Sequence, residues 1–273
     1  MLPEFVVIGA MKAGMSSAYR LLSSHPEINM CSVKDARFFS VGEDGGGSSA
    51  LGREWYRNLY RSVPGVTGEV SGSYASFPEC QGVPSRIFSF NPRARIVYVV
   101  RNPIDRALSH YCHRVIMGRE VRPIHTALGK GISRYVTQSM YCLQLQEYAR
   151  LFSTKQVCVL VAEDMWSDPA SAMRQLAAFL GIQDFPVAGE AMPCENRTWA
   201  RLANRQGRTP LSRAQKQLWD IAAEMPENAD ARALAMAMGF GIEDRLRFAQ
   251  WFYDDSQRLS ETFGVSVQKW FGV

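Results

Sequence analysis

A glycine-containing segment near the start of the chain has residues suited to binding an anion. In VIGAMKAGMSS, Gly9 and Gly14 have the spacing of the nucleotide-binding motif G-x-x-x-x-G-K-[ST], and Ser16 occupies its hydroxyl position. Met15 stands where that motif has lysine, and the lysine of this segment is Lys12, inside the loop. Backbone amides at a helix N-terminus bind phosphate, and Lys12 adds a positive charge. The segment therefore predicts a phosphate site that differs from an ATP-binding loop.

A second candidate anion site lies in VVRNPIDRALSHY, where a strand-like run meets a helical pattern that Pro103 opens. Arg101 ends the predicted strand and Ser109 lies two turns along the predicted helix, so a guanidinium and a hydroxyl could meet one phosphate. The alternative is a capped helix with Arg101 and Arg106 in solvent. We call residues 9–17 the first turn and residues 99–111 the second turn. Two turns suited to anions in one predicted sheet favour the phosphate interpretation.

Four apolar runs rich in β-branched residues predict the buried strands that would carry these turns. The strands are FVVIG from Phe5, VTGEVS from Val66, RIVYVV from Arg95 and QVCVLV from Gln156. Helical patterns follow three of them: SSAYRLLSS, PIDRALSHYCHRVI and PASAMRQLAAFLG. This alternation predicts an α/β, P-loop-like fold, in which a mainly parallel sheet is flanked by helices on both faces and ligands bind beyond the carboxyl ends of the strands.

The remaining patterns predict a single domain over residues 1–273 with a C-terminal helical elaboration. Helical patterns in SRAQKQLWDIAAEM and ADARALAMAMG place that elaboration at residues 209–241. A further apolar stripe at helical spacing predicts a core-facing helix rather than a base-stacking surface; its members are Tyr141, Leu145, Tyr148 and Phe152.

Composition limits the class of protein. The 273 residues are 47% hydrophobic and 21% charged, which favours a folded core over disorder. A net charge of +5 favours small anionic ligands over a nucleic-acid partner. Six cysteines without a C-x-x-C pair indicate reduced core residues, and no signal peptide or membrane span is recognisable. We expect a soluble cytoplasmic protein with no membrane or nucleic-acid partner.

The two turns resemble the donor motifs of sulfotransferases that use 3′-phosphoadenosine 5′-phosphosulfate (PAPS). IGAMKAGMSS is similar to their 5′-phosphosulfate loop, and RNPIDRALSHY to their 3′-phosphate motif R-[DN]-P-x-x-R-x-x-S-x-Y. Similarity continues in VKDARFFS, GEVSGSY, SMYCLQLQEYARLF, AEDMWSDPASAMRQLAAFLGI and FYDDSQRLSETFGVSVQKW, and so covers most of the chain. It is strongest to the heparan-sulfate-type branch and its bacterial small-molecule relatives.

This resemblance implies PAPS as co-substrate, its bisphosphate PAP as product, and no required metal. In PAPS a single 5′-phosphate carries the sulfonate, and a lysine inside the loop suits this group. The resemblance implies that Lys12 stabilises charge on the oxygen that bridges phosphorus and sulfur. The other implied donor-binding residues of the loop are Ala13, Gly14, Met15, Ser16 and Ser17. The implied 3′-phosphate ligands are Arg101 and Ser109.

A basic segment further on, ENRTWARLANRQGR, corresponds to a loop that closes over the nucleotide in the family. Arg197 and Arg201 are candidates for 3′-phosphate contacts and Trp199 for adenine stacking. A solvated basic loop is the alternative interpretation.

The family pattern E-x-x-F-F places the general base at Asp35, in DARFF. The alternative for Asp35 is an exposed acid paired with Lys34 or Arg37. Glu69 is a second acid, with a structural or acceptor-orienting role, and His125 is an alternative base. The other histidines have structural interpretations: His25, His110 and His113.

These residues predict an enzyme that moves a sulfonate group from PAPS to a hydroxyl of a small molecule, such as a natural product, or of a glycan. The motifs do not specify the acceptor. One alternative is a P-loop phosphotransferase that uses ATP and Mg²⁺, which leaves Arg101 and Ser109 unexplained. The other is a non-enzymatic nucleotide- or RNA-binding module, which leaves Lys12 and Asp35 without a role.

Overall fold

Five parallel strands form the centre of the fold, seen in a computed structural model that describes residues 2–41, 47–129, 133–184, 213–225 and 231–271. The strands are β1 (Phe5–Val7), β2 (Ile28–Met30), β3 (Val66–Val70), β4 (Arg95–Val100) and β5 (Val157–Val161). Their order in the sheet is β2-β3-β1-β4-β5, and every neighbouring pair is parallel.

Helices connect and flank these strands. The first nine are α1 (Met15–Ser23), α2 (Gly52–Arg57), α3 (Val83–Phe90), α4 (Pro103–Ile116), α5 (Ile124–Leu128), α6 (Arg134–Thr137), α7 (Tyr141–Ala149), α8 (Ala162–Ser167) and α9 (Pro169–Leu180). The C-terminal part contributes α10 (Arg213–Glu224), α11 (Ala231–Ala237), α12 (Ile242–Ala249) and α13 (Tyr253–Phe263). Short 3₁₀ helices occur at Ser49–Leu51, Thr154–Gln156 and Gln268–Trp270.

The strand order places a topological switch point between β1 and β4. From β1 the chain moves to β2 and β3 on one side, and then crosses to β4 and β5 on the other. Pairing of β1 with β4 continues past the end of β1, where the Ala10 amide donates to the Val99 carbonyl at 2.6 Å. Ligands of open α/β sheets bind beyond the carboxyl ends of the strands at such a point. A ligand site is therefore expected at the segments that follow β1 and β4.

The core lies on both faces of the sheet. All three residues of β1 are completely buried, and β4 is buried from Ile96 to Val100, as strands covered by helices on both faces must be. The predicted stripe of Tyr141, Leu145 and Tyr148 lies on α7 and is buried, and Phe152 is buried just beyond the end of that helix.

The predicted α/β fold with a parallel sheet flanked by helices is confirmed. The helix predicted from Pro103 to Ile116 has those bounds in the structure, whereas the three-residue strand β2 was not predicted. Helices occur at 213–224 and 231–237, inside the predicted elaboration, and their buried residues join α4 in a second apolar cluster. Within the described ranges, the structure has no helix that is long and apolar enough to cross a membrane.

Candidate active site

The first turn delivers the N-terminus of α1 to the carboxyl edge of the sheet. Gly14 caps the helix in the left-handed conformation, with φ 88°, which a glycine adopts without steric cost. Ala18 donates its amide to the Gly14 carbonyl at 3.0 Å, and the amides before it belong to the open first turn of the helix. Such a helix end is suited to binding an anion. Met15, the first residue of α1, has a buried side chain, so it offers only its backbone amide at this helix end.

Both residues predicted to act in catalysis have an unusual backbone. Lys12 has φ 75° and Asp35 has φ 58°, and the one other non-glycine residue with positive φ in the described part of the chain is Arg37, at 56°. Positive φ is uncommon for such residues, and strained backbone of this kind clusters at functional sites. The strain is therefore an observation independent of the sequence motifs that singled out Lys12 and Asp35.

The second turn follows β4 and is built around Asn102. Its side-chain oxygen accepts the amides of Ile104 at 3.0 Å and Asp105 at 3.2 Å, which caps the N-terminus of α4. Its amide group donates to the Trp270 carbonyl at 2.9 Å and so ties the turn to the C-terminal segment. This cap fixes the start of the helix that carries Ser109, which is buried in its second turn.

Arg106 is completely buried, so the alternative in which Arg106 lies in solvent is wrong. Its guanidinium donates to the Ser139 hydroxyl at 2.6 Å, to the Tyr135 carbonyl at 2.9 Å and to the Met11 carbonyl at 3.3 Å. Burial lowers the pKa of Arg106, and the contacts with polar groups keep the desolvated guanidinium hydrogen-bonded. Arg106 therefore fastens α4 to the first turn.

Arg101 makes a second connection between the two turns. Its Nη1 donates to the Lys12 carbonyl at 3.4 Å, while its own backbone carbonyl accepts from the Tyr141 hydroxyl at 2.7 Å. The structure thus brings Lys12 and Arg101, predicted from separate motifs, to one place. Lys12 also lies close enough to α4 for its charge to act on Cys112, whose thiol pKa burial raises to about 12 against that charge.

Trp166, on α8, is a residue of this region that the sequence motifs did not reveal. The Arg101 guanidinium carbon lies 5.3 Å from the centroid of its ring. The indole also lies against Gly14, where an added Cβ would come within 3.0 Å of the ring. Both contacts are tertiary, so a periodicity or spacing in the sequence could not have shown them.

Asp35 lies beside the first turn. Its Oδ1 accepts the Gly72 amide at 2.8 Å, and its Oδ2 lies 3.5 Å from Lys34 Nζ. Lys34 in turn donates to the Ser16 hydroxyl at 3.0 Å. The Asp35 side chain is 44% exposed and is accessible from solvent. The pairing with Lys34 considered as an alternative is present, and it links the carboxylate to the loop.

Glu69 is completely buried inside β3, behind this surface. The Tyr56 hydroxyl donates to its Oε2 at 2.6 Å and is also within 2.9 Å of the Tyr60 hydroxyl. Burial raises the pKa of Glu69 to about 7; the Tyr56 hydrogen bond opposes this rise and the nearby charge of Asp35 adds to it. The burial favours the structural role for Glu69 over contact with an acceptor.

Two of the histidines, His25 and His110, lie in buried structural settings. His25 is buried within 3.0 Å of the Gln183 carbonyl, and His110 is buried beside Arg106, where burial and that positive charge hold its pKa well below the ordinary value. His125 is half-exposed and lies 3.8 Å from Asp244 of α12. A site of three or more metal-ligating side chains is absent from the part of the chain that the structure describes. The predicted nucleotide-closing residues lie outside that part: Arg197, Trp199 and Arg201.

This chain is similar in sequence and in fold to known sulfotransferases. A family profile described as a sulfotransferase domain matches residues 79–191. The crystal structure of a sulfotransferase from Alicyclobacillus acidocaldarius is 26% identical, covers 99% of both chains and superposes with a TM-score of 0.68.

Two curated relatives bear on the branch of the family. The mouse bifunctional heparan sulfate N-deacetylase/N-sulfotransferase 4 is 27% identical over 213 residues, which is 70% of this chain and 24% of that protein. The human heparan sulfate glucosamine 3-O-sulfotransferase 3B1 is 26% identical over 192 residues, which is 67% of this chain and 47% of that protein. The chain thus spans less than half the length of either relative.

Proposed function

Because the chain belongs to the sulfotransferase superfamily, we propose that it is a sulfotransferase whose donor is PAPS and whose acceptor is a hydroxyl group of a small molecule or a glycan. One observation carries the proposal: the two anion-ready turns are joined at the switch point of the sheet, where Arg101 donates to the Lys12 carbonyl. A donor with a 5′-phosphosulfate and a 3′-phosphate needs two anion sites at one edge. An ATP site would leave the second without a ligand.

The first turn is suited to the 5′-phosphosulfate. The backbone amides at the start of α1 would hold the phosphate oxygens, with the hydroxyls of Ser16 and Ser17 as further donors. During transfer the bond between sulfur and the bridging oxygen breaks, and the electron pair stays on the phosphate of PAP. Lys12, which enters this loop with a strained backbone, would stabilise that charge as it develops.

Asp35 is the proposed base. As the acceptor oxygen forms its bond to sulfur, its proton must leave, and the Asp35 carboxylate is exposed beside the loop to receive it. The contact of Lys34 with both Asp35 and Ser16 links the carboxylate to the first turn, which supports this assignment. Its hydrogen bond from the Gly72 amide limits the directions in which the side chain can turn.

The second turn is suited to the 3′-phosphate of the donor. Arg101 offers a charged, planar set of donors, and Ser109 offers a hydroxyl from the same segment. Arg197, Trp199 and Arg201 are proposed to complete the nucleotide site from the basic segment that follows. Because relatives include heparan sulfate sulfotransferases, we include glycans among the acceptor candidates.

The proposal is tested first by binding. A ligand that binds the folded state alone raises the unfolding temperature, so PAP should stabilise the protein more than ATP with Mg²⁺ or a short RNA at equal concentration. Transfer is then measured with sulfur-labelled PAPS against a set of hydroxyl compounds and heparan-type glycans, with PAP release as the readout. Stabilisation by ATP with Mg²⁺ but not by PAP would remove the proposal.

A further inference from the structure

Trp166 lies where the two turns of the site meet, although it belongs to neither. It follows β5 on α8, and its ring contacts Arg101 of the second turn and Gly14 of the first. Trp166 is partly buried, and its indole Nε1 is enclosed without a hydrogen-bond partner within the described structure. The indole ring therefore lies between the two turns and contacts both of them.

We propose that Trp166 is a positioning residue for the 3′-phosphate of the donor, acting through Arg101. The inference rests on the proposed function and deepens it, since it names the group that orients the phosphate-binding guanidinium. A guanidinium stacked on an indole face keeps its N–H donors directed outward in its own plane. One of those donors already meets the Lys12 carbonyl, so Arg101 is fixed at two points and its remaining edge can meet a phosphate.

Gly14 is part of the same arrangement. With φ 88° it adopts a conformation that side chains rarely tolerate, and an added Cβ would also lie 3.0 Å from Cζ2 and 3.1 Å from Nε1 of Trp166. Because Gly14 has no side chain, the Trp166 indole can pack against the loop and still contact the Arg101 guanidinium. The glycine therefore serves the phosphate loop and the stacked pair together.

The test compares two ligands that differ in the 3′-phosphate alone. Dissociation constants for PAP and for adenosine 5′-phosphate are measured by titration calorimetry with wild type, Trp166→Leu and Trp166→Phe. We expect Trp166→Leu to weaken PAP binding about fivefold to thirtyfold and to leave adenosine 5′-phosphate nearly unchanged, because the lost contact acts on the 3′-phosphate. Trp166→Phe should recover most of the affinity, since its ring still presents a π face.

A double-mutant cycle separates this role from a structural one. In an Arg101→Ala background, Trp166→Leu should cause no further loss of PAP affinity. The control is Trp251→Leu, because Trp251 is an exposed tryptophan in a turn remote in sequence from the site, and it should leave both affinities unchanged. Unfolding temperatures of all variants show that each is folded.

The outcomes distinguish the two proposals. If wild type binds PAP no better than adenosine 5′-phosphate, the proposed donor is wrong and the inference falls with it. If wild type prefers PAP but Trp166→Leu weakens both ligands equally, weakens neither, or adds its full effect to that of Arg101→Ala, the inference alone is overturned.

Discussion

At the scale of single residues, strained backbone and charge coincide at the site. Lys12 and Asp35 hold positive φ angles that cost about 1–3 kcal/mol each and persist only where the surroundings impose them. The surroundings here are the Gly14 cap behind Lys12 and the Gly72 amide in front of Asp35. The backbone of both residues is therefore fixed by the surrounding fold, which suits the preorganised charge that the proposed mechanism requires.

Replacing Lys12 with alanine tests its proposed role in the transition state. We expect kcat to fall about a hundredfold or more, because the charge on the leaving oxygen is no longer compensated, while PAP affinity falls less. Single-turnover rates and PAP titrations measure the two quantities. Lys155→Ala is the matched control, because Lys155 lies in the 3₁₀ helix before β5. A wild-type kcat in Lys12→Ala would remove this lysine from the mechanism.

Replacing Asp35 with asparagine tests the base. Asparagine keeps the size of the side chain and an oxygen for the Gly72 amide, but it cannot take up the proton of the acceptor. We expect kcat to fall at least about a hundredfold with PAP affinity retained, and Asp35→Glu to keep part of the activity. His125→Ala should behave as wild type, since His125 lies beside α12. Full activity in Asp35→Asn together with an inactive His125→Ala would reassign the base.

The sequence could indicate Lys12, Arg101 and Asp35 because each belongs to a short local motif. It could not show that Arg106 is buried or that Trp166 meets Gly14, because those facts depend on how α4 and α8 pack against the first turn. The strand β2 was not predicted, because it too depends on contacts that are distant in the sequence. Its three residues are too few to show an alternating pattern, and it is defined by pairing with β3.

At the scale of elements, a cap from a distant helix supports the second turn. Asp255 of α13 is buried and accepts the amides of Cys142 and Leu143, both at 2.9 Å, at the N-terminus of α7. This end of α7 carries Tyr141, whose hydroxyl donates to the Arg101 carbonyl. The C-terminal helix thus reaches the candidate site through one carboxylate and one phenol.

Removing this cap should destabilise the fold measurably. Asp255→Ala leaves the amides of Cys142 and Leu143 without this partner, and we expect the free energy of unfolding to fall by about 1–3 kcal/mol. Asp254→Ala is the matched control, because Asp254 is the exposed neighbour in the same first turn of α13. Urea denaturation measures both variants. Equal stability of the two would show that the carboxylate of Asp255 contributes nothing as a cap.

At the scale of the whole molecule, the buried Glu69 couples stability to pH. It joins β3 to α2 through the Tyr56 hydroxyl, and its pKa is raised from the ordinary 4.5 to about 7, chiefly by burial. Between pH 4.5 and about pH 7, Glu69 is therefore protonated in the folded state and ionised in the unfolded chain. The stability that this proton contributes is fully present below about pH 4.5 and is lost as pH rises through 7.

Glu69→Gln should remove this dependence, because glutamine is uncharged at every pH and can still accept the Tyr56 hydrogen bond. Relative to wild type, we expect the variant to gain about 3 kcal/mol in free energy of unfolding between pH 4.5 and pH 8, the equivalent of the raised pKa. Urea denaturation at intervals of half a pH unit measures the difference, with Glu54→Gln, an exposed change on α2, as control. Parallel curves for wild type and Glu69→Gln would mean that the Glu69 carboxyl has the same pKa in the folded protein as in the unfolded chain.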